Sequence, residues 1–167
     1  MTDMAMTDMA HAEDWVLLAY RLPREPSTPR STVWRKLKRL GVAQIGDGLV
    51  ALPADARTRE ALEWVADEVV ENHGEAMLWL GRPADAAGRA AIQARMSAGI
   101  AAEYQAVIAE ALASRDSDAA TRRRVVARLR RELHRIEARD FFESDQRGTA
   151  LRAVEELAAR LTDEARR

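Results

Sequence analysis

Arg30, Arg35, Lys36, Lys38 and Arg39 fall within the ten residues RSTVWRKLKR, and no acid interrupts them. Guanidinium and ammonium groups at this density do one kind of chemistry well: they neutralise phosphates and release the condensed counterions. Arg21 and Arg24 precede them, so residues 21–41 carry seven basic side chains against Glu25, a net +6. With Val33 at zero and 100° per residue, Lys38, Arg35, Arg39 and Lys36 fall at about 140°, 200°, 240° and 300°. Leu37 and Leu40 stay within about 40° of Val33, so the cations share one outer face and the apolar residues an inner stripe. Arg35 and Arg39 form a like-charge i,i+4 pair that costs a few tenths of a kcal/mol unless something neutralises it. Two sources of negative charge are open. One is a polyanion such as DNA, where four to six phosphate contacts give a log–log salt slope of about −4 to −5. The other is internal, because residues 53–75 hold seven acids and two arginines, a net −5.

Other candidate chemistry is thinner. Residues 121–139 hold eight arginines and two glutamates. Arg128 and Glu132 there have the spacing of a helical ion pair, and long arginine stems cover apolar surface, so a packing helix and a second anionic contact both fit. His11, His73 and His134 lie far apart with no metal-ligand spacing, Asp47 sits in an Asp-Gly turn, and no P-loop, dinucleotide fingerprint or nucleophile elbow occurs. The sequence therefore nominates no catalytic residue, no metal ligand and no cofactor. Zero cysteines exclude disulfides, thiol catalysis and thiolate metal sites. No apolar run approaches the roughly 18–20 residues of a membrane span, and the start lacks a secretory signal's features, so a cytoplasmic protein is expected.

The elements that must position the basic face can be read from periodicity and punctuation. MTDMAMTDMA is a five-residue duplication without an apolar pattern, and residues 1–13 are expected to be a disordered leader. The apolar run Trp15–Tyr20 reads as a buried strand. Pro23, Pro26 and Pro29 delay regular structure until a helix begins near Arg30, capped by Ser27 or Thr28 and ended by Gly41. Val42–Ile45 and Leu49–Pro53 flank Gly-Asp-Gly as a hairpin. A helix over 56–73, stopped by Gly74, carries Leu62, Val65, Val69 and Val70, and Ala76–Leu80 is the last strand. The order βαββαβ is that of an α+β, ferredoxin-like split βαβ domain over residues 14–82, with both helices on one sheet face. Residues 83–167 read as an all-helical C-terminal extension, with helices near 84–114, 119–140 and 148–165. Trp15, Trp34, Trp64 and Trp79 all fall in the first part, where core or dimer packing suits them better than base stacking.

WVLLAYRLPREPSTPRSTVWRKLKRLG, followed by DGLVALP, TREALEWVADEV and GEAMLW, resembles the N-terminal domain of the ChrB family of chromate-resistance regulators. LRRELHRIEARDFF resembles the same domain's helical continuation, so the likeness spans roughly residues 14–160. The resemblance implies a DNA-binding transcriptional regulator of a chromate-resistance operon, a homodimer, with chromate or another oxyanion as effector. It implies DNA contact from Arg30, Arg35, Lys36, Lys38 and Arg39, with Arg21 and Arg24 in support. The element order also resembles the dimerisation module of PaaX-type repressors and the small nuclease-like subunit of CRISPR adaptation machinery. The latter implies an aspartate just after the first strand to hold a divalent cation. Here that position is Arg21, whose charge repels such an ion, which disfavours a metal-dependent nuclease. The competing reading without DNA is a non-catalytic dimerisation protein that pairs its basic helix with its acidic one.

Overall fold

A computed structural model describes residues 14–165; the proposed leader at 1–13 lies outside the described residues. The chain divides into two compact units, Met1–Ile92 and Gln93–Arg167. In the first, strands β1 (Trp15–Arg21), β2 (Ala43–Gly46), β3 (Leu49–Pro53) and β4 (Glu75–Gly81) alternate with helices α1 (Thr28–Leu40) and α2 (Ala56–Glu71). The strands form one antiparallel sheet in the order β2-β3-β1-β4. β1 is therefore central, as its apolar run requires, and Val16 and Leu18 are buried opposite Leu52 and Val50. Val16 and Leu18 are fully buried while Leu17 and Ala19 are only half-buried, so the even-numbered face of β1 is the helix-covered one. Val33 and Leu37 from α1, and Leu62, Val65 and Val69 from α2, are buried with it. Each such side chain contributes roughly 1.5–3 kcal/mol on leaving water.

Local chemistry fixes the ends of these elements. Ser27 caps α1 without a side-chain hydrogen bond, Pro29 occupies its first turn, and Gly41 closes it at φ 78°. Asp55 accepts the Thr58 backbone N–H at 2.7 Å while the Thr58 hydroxyl reaches the Asp55 N–H, a reciprocal cap for α2. α2 ends two residues earlier than the apolar pattern predicts, with His73 rather than Gly74 taking the left-handed turn at φ 63°. The hairpin turns at Asp47-Gly48, where φ is 72° and a Cβ on Gly48 would lie 2.3 Å from the Tyr20 carbonyl oxygen. Only glycine admits that approach.

Helix α3 (Ala86–Ala113) leads into the second unit, which also holds α4 (Ala119–Glu137) and α5 (Gln146–Ala165). Its core joins Ile100, Tyr104, Val107, Leu129, Leu133, Ile136, Val154 and Leu157. The apolar spacing of Val125, Leu129, Leu133 and Ile136 predicts the inner stripe of α4; the last three are buried, but Val126 is buried where Val125 is only partly so, and Arg122 is buried beside it. Arg128 does not pair with Glu132: it reaches Glu110 on α3, and Glu132 takes Arg135 at 3.2 Å. Arg130–Glu155 at 3.0 Å ties the same helix to α5, and Arg139, just past its end, holds Glu103 of α3 with two prongs at 2.9 and 2.6 Å. These ion pairs favour packing over anion binding for the arginine-rich helix.

Tyr104 is fully buried, and its hydroxyl donates to Asp140 at 3.2 Å. Burial, then the Asp140 carboxylate, pushes its pKa up to about 12, and burial also raises Tyr20. A raised tyrosine pKa favours the protonated folded form, so this stability is complete below pH about 10 and declines as pH rises towards 12. These are the two tyrosines of the chain. Ultraviolet titration of native protein should therefore run to higher pH than titration in guanidinium. Coincident curves would refute the burial argument.

Candidate nucleic-acid interface

α1 owes its two-sided character to the position of the apolar residues rather than to propensity. Val33 and Leu37 anchor the inner stripe, while Arg30, Arg35, Lys36, Lys38 and Arg39 are all exposed. Arg35 donates to the Ser31 carbonyl at 3.3 Å and to the Thr32 hydroxyl at 3.4 Å. Arg39 donates to the Arg35 carbonyl at 3.4 Å, so both guanidiniums lie back along the helix without meeting a carboxylate. Lys38 sits over the Trp34 ring, 5.5 Å from its centroid, a cation–π contact one turn apart that the i,i+4 spacing contained but that charge counting missed. The Arg35, Lys38 and Arg39 stems thus have defined courses, and their charges still face water.

The acidic helix does lie alongside, and it takes one cation: Lys36 pairs with Glu68 on α2. Asp67 and Glu71 line a cleft of about 440 Å³ with Lys36, Glu68, Trp64, Val65 and Asn72. Arg59–Glu63 at 3.0 Å consumes another acid within α2. Among the described residues, no carboxylate stands within ion-pair distance of Arg24, Arg30, Arg35, Lys38 or Arg39. Arg21 stands apart from them at the end of β1, where it pairs with Glu75 at 3.0 Å. Arg24 lies exposed in the connection before α1. The structure thus gathers five of the seven nominated residues on α1 and leaves Arg21 occupied at the sheet edge.

Among the described residues, no three His, Asp or Glu side chains gather as a metal site would require, and no helix is long and apolar enough to cross a membrane. Fold and surface define a small α+β protein, four antiparallel strands and five helices, that displays a basic helix. The chain belongs to the family described as Protein ChrB, N-terminal, which it matches over residues 30–117. It is 30% identical over 135 residues to Protein ChrB of Cupriavidus metallidurans. That match takes in 78% of this chain and 41% of the relative, so the chain spans less than half of the relative's length. No solved structure matches it.

Proposed function

We propose that this chain is the DNA-holding part of a transcriptional regulator of chromate-resistance genes, gripping the phosphate backbone with the outer face of α1. One observation carries the reading: with an acidic helix alongside, α2 neutralises Lys36 and leaves Arg30, Arg35, Lys38 and Arg39 turned to solvent. Membership of the ChrB N-terminal family supports the regulatory half. The βαββαβ order and the β2-β3-β1-β4 antiparallel sheet support a ferredoxin-like description of the first unit. Sequence readout is not part of the proposal, because phosphate contacts position a protein without specifying bases. The cleft beside α2 is a poor seat for chromate or another oxyanion effector, since Asp67, Glu68 and Glu71 line it and repel anions. A second reading, in which the basic helix pairs with the acidic one without DNA, draws on the Lys36–Glu68 pair, which lies within one chain and takes one of the five cations of α1.

Titrating a duplex of arbitrary sequence with the full chain across a salt series separates the two. Direct phosphate contact from four free cations predicts a log–log slope of about −3 to −4. No mobility shift at about 10 mM salt, where the Debye length is near 30 Å, would sink the DNA reading.

A further inference from the structure

β4 is an edge strand built without the usual protection. Its pairing with β1 runs unbroken from Arg21↔Glu75 to Trp15↔Gly81, and no described strand covers its other side. Between Glu75 and Gly81 the strand reads AMLWL, with no charge, proline or bulge, the devices that blunt an edge. The opposite edge shows them: β2 spans four residues, and its register shifts between Gln44 and Gly46. Exposure follows the same contrast. Met77, Trp79 and Leu80 on β4 are 58%, 56% and 61% exposed. Val70 of α2 is 57% exposed and lies about 200° round that helix from Glu68, the residue that faces α1. It therefore flanks the β4 side, on the helix-covered face with Leu80.

We propose that β4 pairs antiparallel with β4 of a second copy of this chain about a two-fold axis at Leu78, joining two sheets into one of eight strands. This register sets Met77 against the partner's Trp79 and Trp79 against the partner's Met77, so each exposed side chain gains an apolar cross-strand neighbour. The charge pattern selects the direction. Antiparallel pairing puts the Glu75 end of one strand, whose carboxylate Arg21 holds at 3.0 Å, beside the other's Gly81–Arg82 end, where Arg82 stands 3.8 Å from Asp14, whereas parallel pairing would stack Glu75 on Glu75. A two-fold perpendicular to the sheet keeps both copies' helices on one side, with the Val70 flanks of α2 nearest the axis. The surface is independent of DNA, and it stands if the basic face binds nothing.

Sedimentation equilibrium of the full chain reads this directly. The wild type is expected to move from a mass near 18.6 kDa towards twice that value as its concentration rises. The double variant Met77→Lys/Trp79→Lys places like charges opposite each other and should weaken dimerisation by roughly a hundredfold, with unchanged far-UV dichroism. A second variant does not depend on tolerance of lysine. The chain has zero cysteines, so Leu78→Cys supplies one thiol on the axis, where directly opposed Cα atoms in an antiparallel pair fall about 4.5–5.5 Å apart. Mild oxidation should link Leu78→Cys into covalent dimers much faster than Ile45→Cys on the β2 edge. A wild type monomeric up to several hundred micromolar, a lysine variant that dimerises as well as the wild type, or equal cross-linking at both edges would each overturn the proposal.

Discussion

Changing Arg30, Arg35, Lys38 and Arg39 together to alanine is expected to lower duplex affinity about 10²- to 10³-fold near 0.1 M salt. Each phosphate contact carries a log–log slope near −0.9, so four lost contacts flatten the salt dependence almost completely. The loss should leave the fold intact, because these side chains are exposed and none meets a described carboxylate. Surface changes of that kind usually stay within about 0.5 kcal/mol. Lys36→Ala alone should matter least, since Glu68 already holds that ammonium. Glu68→Gln should act in the opposite sense, freeing Lys36 and removing a nearby negative charge, and raise affinity severalfold. Fluorescence anisotropy with a labelled duplex measures all of these on one scale. Equal affinities for the quadruple variant and the wild type would remove α1 from the interface. A weaker Glu68→Gln variant would show that the acid orients Lys36 for binding instead of competing for it.

The two proposals meet in geometry. Joined at β4, two copies carry both α1 helices on the same side of the sheet, because antiparallel pairing preserves its faces. Two basic faces on one rigid body would engage one duplex together and gain effective concentration without new contacts. The Met77→Lys/Trp79→Lys chain leaves α1 untouched, and because its added lysines can only strengthen attraction to phosphate, an affinity loss in it reports lost avidity.

What the sequence disclosed, and what it withheld, divides along one physical line. Directions along an element were legible. The 3.6-residue period placed Val33 and Leu37 inward, where both are fully buried, and the glycine at 41 stopped α1 as a left-handed cap. Partners across elements were not. Arg128 had Glu132 at ideal helical spacing yet reaches Glu110, because a packed neighbour fixes a carboxylate where an exposed turn does not. Lys36 finds Glu68, 32 residues away, for the same reason. β4 shows the limit most clearly. An apolar run reads alike in a central strand and at an edge, and only the strand order exposes Met77, Trp79 and Leu80. The basic face itself was legible as a face, but not which of its cations would stay free.

Leu37→Ala, one position from Lys38, is expected to cost about 2–5 kcal/mol, against at most about 1 kcal/mol for Lys38→Ala. Leu37 is fully buried on the inner stripe of α1, and its loss leaves a cavity among Val33 and its neighbours as well as forfeiting the transfer energy. Lys38 loses only its contact with Trp34, worth about 0.5–1 kcal/mol at an exposed site. Domains of this size hold only about 5–15 kcal/mol in all, so Leu37→Ala removes a large share of the first unit's stability. Urea unfolding followed by tryptophan fluorescence reports that unit selectively, because Trp15, Trp34, Trp64 and Trp79 all lie within it. The midpoint should fall by roughly 1–2 M for Leu37→Ala, given m-values of about 1–3 kcal/mol/M. The Lys38→Ala curve should lie close to the wild type. If the two variants unfold together, α1 does not contribute its inner stripe to the core, and the free outer face loses the support that aims it.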